Sequence, residues 1–151
     1  MKTLLKFLVV LFLGQILTSQ ASDIGTADEA LSMVKRAIAL LDKKGKDEAF
    51  KQFNDTSGPF VDRDLYIAVL DAKGTMVAHG ANPRIIGKSL IEMKDADGKQ
   101  FIKTLIDMAQ KNRSGWVEYK WPNPVTKVIE PKSTYVEKFG DLTVACGIYK
   151  K

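Results

Sequence analysis

Residues 116–135 constrain the fold of this chain more than any other segment, because they read as two strands joined by a proline-stiffened turn. Every second position of the first strand carries a large side chain: Val117, Tyr119 and Trp121. This period of two is typical of a strand whose two faces meet different environments. Pro122 and Pro124 follow, and we expect the strand to end there because proline has no amide hydrogen to donate. Pro131 is expected to limit the return strand near its start.

The same segment places a cation beside aromatic rings. Lys132 and Tyr135 lie on the return strand, and Tyr119 and Trp121 share one face of the first strand. A rigid aromatic wall beside a cation is what a small anionic ligand requires. We therefore expect Tyr119 and Trp121 to line a pocket, whereas Trp116 faces the other way, towards the structural side. The alternative is that both rings pack against a helix without any ligand.

Hydrophobic periodicity elsewhere predicts a helix, two strands, a second helix and three strands. The first helix covers residues 26–53, where Gly45 is either a cap or a kink. The other predicted elements are strands 65–70 and 75–79, a helix from about 99 to 111, a strand beginning at 115, and strands 132–137 and 142–149. This order predicts an α+β domain, in which an antiparallel sheet has its helices segregated at one side.

The N-terminus has the pattern of a cleavable signal peptide. Lys2 and Lys6 precede an apolar run at residues 7–13, and the small residues Ser19 and Ala21 fit a cleavage site. We expect residues 1–21 to be removed by cleavage after Ala21, which directs the chain to the periplasm or the exterior. The run is short for a membrane span of roughly 20 residues, although an uncleaved anchor is the alternative.

Composition argues against several functional classes. The formal net charge is +5, but basic and acidic residues are interspersed, so no nucleic-acid-binding patch is predicted. Cys146 is the single cysteine, which rules out an intrachain disulfide and fits a periplasmic protein better than a disulfide-rich scaffold. His79 is the single histidine and has no cysteine cluster beside it, so neither a metal nor another cofactor is expected.

Catalysis also lacks a recognisable motif. No phosphate-binding loop or serine-nucleophile elbow occurs. Cys146 and His79 could nominally pair as nucleophile and base, but Cys146 alternates with apolar residues in a strand and is expected to be buried and inert. Asp95 and Asp97 with Gly98 provide only part of a calcium loop, so a helix-capping turn is preferred. The chain is not expected to be an enzyme.

From residue 64 onwards the chain closely resembles the second type of the single Cache domain family. The matching pieces occur in family order: D-L-Y-I-A-V-L-D-A-K-G (64–74), V-A-H-G-A-N-P (77–83), I-G-K-S-L (86–90), D-A-D-G-K-Q-F (95–101), G-W-V-E-Y-K-W-P (115–122), P-K-S-T-Y-V (131–136) and C-G-I-Y (146–149). The resemblance implies a PAS-like antiparallel sheet of about five strands, preceded by a long helix. A single Cache domain would then occupy residues 22–151, with its PAS-like core at 60–150.

The resemblance also implies a role. Such domains are typically extracytoplasmic sensors of small organic acids in chemoreceptors or histidine kinases. Here no transmembrane, kinase or methyl-accepting region follows Tyr149. We therefore expect a freestanding module that signals through a membrane chemoreceptor or histidine kinase partner. The long N-terminal helix permits a homodimer but does not require one.

Lys132 is the strongest candidate for contacting a carboxylate, and it matches the lysine of the family's P-K-x-x-Y segment. The alternative is a solvated lysine at a strand edge. Tyr66 and Tyr135 are candidates for phenolic hydrogen bonds to the same anion, or are simply packed aromatics. His79 is either a pocket donor, which would make binding pH-dependent, or a structural histidine.

The remaining candidates lie in loops. Asn123, held between two prolines, either offers its amide to the ligand or shapes the turn. Arg84 and Lys88 could guide an anion inward, although solvated surface positions suit them better. Together these residues favour reversible binding of acetate, propionate, pyruvate or lactate. The alternative function is a structural subunit that docks on a receptor through the apolar face of residues 30–41.

Overall fold

The computed structural model describes residues 24–150, so the predicted signal peptide lies outside the described residues. Helix α1 spans Ala27–Phe53. Thr26 caps it: its hydroxyl accepts from the Glu29 amide, and the Glu29 carboxylate accepts from the Thr26 amide. Gly45 has φ 79° and ψ 173° inside the helix, a conformation that glycine adopts readily, so this residue is a kink.

Six antiparallel strands form one sheet, which confirms the predicted α+β class. They are β1 (Val61–Asp62), β2 (Leu65–Leu70), β3 (Met76–His79), β4 (Ser114–Pro122), β5 (Ile129–Phe139) and β6 (Leu142–Tyr149). The order is β1-β2-β6-β5-β4, and β3 also pairs with β2. Strands β1 and β3 share one edge of β2, because the Ile67 backbone donates to Phe60 and accepts from Gly80 on the same side.

The two helices lie on opposite faces of the sheet, so the expected segregation at one side was wrong. Helix α1 packs against alternate β2 residues such as Ile67 and Val69, whereas α2 (Phe101–Asn112) packs against Leu70 on the other face. The reason lies in β2 itself, in which consecutive residues are apolar. A strand that is apolar on both faces needs cover on both faces.

The β4–β5 hairpin positions the candidate site. Strand β4 ends at Pro122 as predicted, but β5 already begins at Ile129, with Pro131 inside it. Pro131 is tolerated because β5 pairs with β6 only from Lys132 onwards. The Pro131 nitrogen, which has no hydrogen to donate, therefore lies on the side where β6 ends. The Pro131 carbonyl still accepts a hydrogen bond from the Lys150 amide. Within residues 24–150, no helix is both long and apolar enough to cross a bilayer.

Candidate functional site

A small cavity of about 30 Å³ lies between the sheet and α2. Apolar side chains from α2 and the strands form most of its lining, including Leu70, Met76, Leu90, Phe101, Ile102 and Leu105. Its polar lining comes from Tyr66, His79, Tyr119, Lys132 and Thr134. A largely apolar hollow with a few converging polar groups is the usual form of a small-molecule site.

Lys132 is the centre of this polar group. Its side chain is buried, with 3% relative exposure, and Nζ donates to the hydroxyls of Tyr66 at 2.7 Å and Tyr149 at 3.2 Å. Nζ also lies 4.0 Å from the centroid of the Tyr66 ring and 4.7 Å from that of Tyr149. Among residues 24–150, no carboxylate forms an ion pair with this amine. Burial therefore lowers the pKa of Lys132 to about 7.

The strand register explains why this lysine points inward. Lys132 of β5 lies opposite Tyr149 of β6, and Thr134 lies opposite Gly147. A Cβ atom at position 147 would overlap the Lys132 Cε and the Thr134 hydroxyl. The absence of a side chain at Gly147 thus leaves the space through which the Lys132 stem reaches the phenols.

The phenols around Lys132 are protonated, so each of them can donate one hydrogen bond. Burial raises the pKa of Tyr66, Tyr119 and Tyr149. The Tyr149 hydroxyl donates to the Pro122 carbonyl at 2.8 Å, and the Thr134 hydroxyl donates to Tyr119 at 3.0 Å. The Tyr66 hydroxyl is then the donor in its long 3.4 Å contact with the Tyr149 hydroxyl, a weak bond that a ligand could replace, and the Tyr119 hydrogen remains available.

His79 has both a structural role and a place in the pocket. Its Nδ1 accepts from the amides of Ala81 at 3.2 Å and Asn82 at 2.9 Å, which places the ring proton on Nε2. Within the described chain Nε2 has no hydrogen-bond partner, and the ring lies 4.8 Å from that of Tyr66. Burial and the nearby Lys132 lower the pKa of His79 to about 3, so the ring is neutral near pH 7.

Tyr119 and Trp121 lie where the alternation of β4 predicts, on the α2 face. Tyr119 stacks on Phe101 with ring centroids 4.3 Å apart, and Trp121 lies 5.1 Å from the same ring. The rings pack against α2 and line the cavity at once, so their role towards a ligand stays a prediction.

Tyr135 does not join this site, so the pairing of Lys132 with Tyr135 needs correction. The Tyr135 ring lies on the α1 face, 5.4 Å from Trp116, and its hydroxyl donates to Glu137 at 2.9 Å. Residues three apart in a strand face opposite sides, which excludes Tyr135 from the face of Lys132.

Asn123 shapes the hairpin and does not offer its amide to the cavity. Its Oδ1 accepts from the amides of Val125 at 2.8 Å and Thr126 at 3.3 Å, and its Nδ2 donates to Glu130 at 2.9 Å. Asn123 is buried, and both of its side-chain polar groups are engaged in the turn.

Sequence reasoning missed Tyr149, which is the second phenol on Lys132. Its position was visible in the alternation of β6, which places Tyr149 on the face of Gly147 and Ala145, away from Cys146. The contact between Tyr149 and Lys132 could not be predicted, because the alternation shows which face a residue occupies but not which residue of β5 lies opposite.

A wider cleft of about 500 Å³ opens outside the cavity. It shares Tyr66, His79 and Trp121 with the cavity, and Arg84 and Lys127 line its rim. Lys88, the other basic candidate of that loop, lies outside this lining.

The reactive groups weighed for catalysis lie elsewhere or are inert. The Cys146 thiol contacts Met33 of α1, 3.8 Å between sulfurs, and burial raises its pKa to about 12. Asp95 does not cap α2, but accepts from the amides of Lys99 and Lys120 and so ties its turn to β4. Across residues 24–150, no three His, Cys, Asp or Glu side chains are grouped to hold a metal ion.

Comparison with known proteins identifies the family. The model of the family described as single Cache domain 2 matches residues 20–151. The chain belongs to this family. A solved methyl-accepting chemotaxis protein from Vibrio parahaemolyticus has a TM-score of 0.71 and 25% identity, covering 81% of this chain and 86% of that one. The resemblance stated from the sequence is thereby confirmed.

Two further relatives fit the same description. A Cache chemosensory domain, solved in a study of carboxylic acid recognition, has a TM-score of 0.69 at 22% identity, covering 82% of this chain and 92% of that one. Methyl-accepting chemotaxis protein McpP of Pseudomonas putida is 30% identical over 78 residues, which are 52% of this chain and 14% of that protein. The chain thus matches a small part of a longer receptor, and it has the fold and family of extracytoplasmic sensor domains, not of catalytic ones.

Proposed function

We propose that this chain is an extracytoplasmic sensor domain that reversibly binds a small carboxylate at Lys132. The observation that carries the proposal is a buried amine without an acidic partner among the described residues. A buried charge without a counter-ion is costly, and a bound carboxylate would supply that counter-ion. The acids that fit the proposal are acetate, propionate, pyruvate and lactate.

The hydrogen-bond inventory of the cavity supports an anion over a neutral ligand. Lys132, Tyr66 and Tyr119 each have a hydrogen to donate, and His79 adds Nε2–H at the mouth. A carboxylate accepts only, so it matches a site that offers mainly donors. Bonds from an ammonium to a carboxylate are also roughly twice as strong as neutral ones.

The volume of the cavity favours short acids. A cavity of about 30 Å³ exceeds the roughly 10–15 Å³ of free volume that one water molecule needs, but it is small for a whole ligand. The carboxylate head would occupy this space, and a short tail would lie towards Trp121 and the outer cleft.

The comparisons support a partner-dependent sensor. The three relatives described above are chemotaxis proteins or a chemosensory domain, and one of them was solved in a study of carboxylic acid recognition. We infer that this domain passes its signal through a membrane chemoreceptor or a histidine kinase, after removal of residues 1–21.

The test is a calorimetric and thermal-shift screen of acids with two to four carbons against wild type and Lys132→Met. Methionine keeps the apolar length of the side chain and removes the amine, so binding should weaken by more than about tenfold. The matched control is Lys103→Met on the exposed side of α2, which should bind like wild type. A screen without any saturable binding would remove this proposal.

The tight cavity also favours a second candidate, a structural subunit whose pocket stays closed. Helix α1 would then dock on a receptor or a second copy with its outward side, where Leu31 is 36% exposed. Pull-down from a native envelope, with and without short acids, separates the two. Capture of a receptor that is independent of any acid and unaffected by Lys132→Met would favour the structural role.

A further inference from the structure

The outer cleft has an unusual charge pattern. Arg84 and Lys127 line it, while no Asp or Glu from the described part of the chain does. Both side chains are exposed, and no ion pair within residues 24–150 includes either of them. The cleft lining therefore has two cations and, among the described residues, no acid, while Glu130 of the same turn accepts hydrogen bonds from Asn123 and Thr126.

A neighbouring cavity of about 220 Å³ shows the ordinary arrangement. Four lysines line it (Lys99, Lys120, Lys132 and Lys150), together with Asp95, Asp97 and Glu118. Asp97 pairs with Lys120 at 2.9 Å and Glu118 pairs with Lys150, so acids accompany the basic residues of this lining, whereas the described lining of the cleft contains none.

The Lys127 ammonium is also held in place. Residue 127 lies in the β4–β5 turn with φ 63°, its amide donates to the Asn123 carbonyl at 2.9 Å, and Nζ donates to the Pro124 carbonyl. This anchoring reduces the side-chain entropy that a lysine would lose on binding an anion. Arg84 follows Asn82, whose side chain accepts from the Arg84 amide at 3.1 Å.

The cleft adjoins the inner cavity, since Tyr66, His79 and Trp121 border both. An acid with its first carboxylate on Lys132 would have little room inside, and a longer ligand would extend past these three residues towards Arg84 and Lys127.

We propose that the outer cleft is a second anion subsite, at which Arg84 and Lys127 bind the distal carboxylate of a dicarboxylic acid. The inference rests on the proposed carboxylate site at Lys132 and names its ligand class more closely. A guanidinium can bind a carboxylate with two parallel hydrogen bonds, and an ammonium adds a point charge. Because both cations are exposed, solvent screening keeps the gain modest, and about tenfold in affinity is expected.

The experiment compares acids of equal length that differ only in the second carboxylate: succinate with butyrate, glutarate with valerate, and adipate with hexanoate. At least one diacid should bind wild type about tenfold more tightly than its monoacid. Arg84→Gln and Lys127→Gln should each reduce this preference about threefold or more while leaving the monoacid nearly unchanged. Lys88→Gln is the control, because it removes a nearby exposed charge that does not line the cleft.

The outcomes separate this inference from the function on which it rests. Monoacid binding that depends on Lys132, without preference for any diacid, overturns the subsite and leaves the carboxylate site standing. Equal weakening of diacid and monoacid binding in the Arg84 and Lys127 variants also overturns it, since the two cations would then attract any anion and would not bind the second carboxylate. Absence of binding for all six acids overturns the subsite alone, because the carboxylate site at Lys132 is tested separately by the screen of acids with two to four carbons.

Discussion

Lys132 illustrates how one side chain can lower stability while making a site. An ammonium in an apolar hollow has lost its hydration, and the compensation consists of two phenol oxygens, two ring faces and the charge of Asp64, which forms no ion pair with the amine. Neutral hydrogen-bond partners and rings offset less than a carboxylate would, which is why burial lowers the pKa of Lys132 to about 7.

This lowered pKa predicts the direction of a pH effect on stability without ligand. Between about pH 7 and the usual Lys pKa of 10.5, the unfolded chain binds a proton that the folded chain has lost. The free energy of unfolding of wild type should therefore rise with pH across this window, by on the order of a few kcal/mol relative to Lys132→Met. Urea unfolding at pH 6, 8 and 10 measures the difference. A gap between the two proteins that is constant with pH would contradict it.

The phenols show where residue-level prediction succeeds and where it stops. Tyr66 was a candidate from the sequence and does contact Lys132. Tyr135 was the other candidate phenol, but its offset of three from Lys132 puts it on the α1 face. Tyr149 is distant in sequence and opposite Lys132 in space. Alternation determines faces, whereas partners across a sheet depend on register, which a single sequence does not state.

At the scale of elements, the strongly periodic segments were the predictable ones. Strands β2 and β6 have the predicted limits, and α1 differs only in that Thr26 is its cap. The placement of the helices was wrong because periodicity reports that a face is buried, not which helix covers it. The length of β5 was underestimated since proline restricts a strand only where its amide side needs a partner.

Gly147 gives an element-scale prediction, since it is where β6 makes room for a side chain of β5. Gly147→Ala would put a methyl group against the Lys132 stem and the Thr134 hydroxyl. We expect the displaced amine to lose carboxylate binding by about tenfold or more. The free energy of unfolding should fall by about 1–3 kcal/mol, from overpacking.

A double-mutant cycle measured by denaturant unfolding isolates the cause. In a Lys132→Ala background the lysine stem is absent, so Gly147→Ala should cost less stability than it does in wild type. Equal costs in both backgrounds would mean that the glycine serves the backbone of β6 and not the lysine.

At the scale of the whole molecule, the two faces of the sheet have different environments. One face packs on α1 through residues such as Val144 and Cys146, and the other holds the cavity with Lys132 and Tyr149. Both sets alternate along the same two strands, β5 and β6. A ligand in the cavity would therefore contact strands that also support α1. Protonation of Lys132, ligand binding and folding are thus linked thermodynamically.

That linkage predicts that binding takes up a proton above neutral pH. A carboxylate on Lys132 favours the charged amine, whereas the empty site has a pKa of about 7. Short carboxylic acids stay ionised between pH 6 and 9, so affinity should be highest near pH 6 and fall by up to about tenfold per pH unit above 7. The other buried groups around the amine do not titrate in this range: the pKa of His79 is lowered to about 3, that of Cys146 is raised to about 12, and those of the three phenols are raised above their usual value.

Calorimetry at pH 8.5 in two buffers of different ionisation enthalpy should show uptake of up to one proton, and at pH 6 almost none. Affinity that is equal at pH 6 and pH 9, with no buffer dependence, would show that the amine stays charged in the empty site.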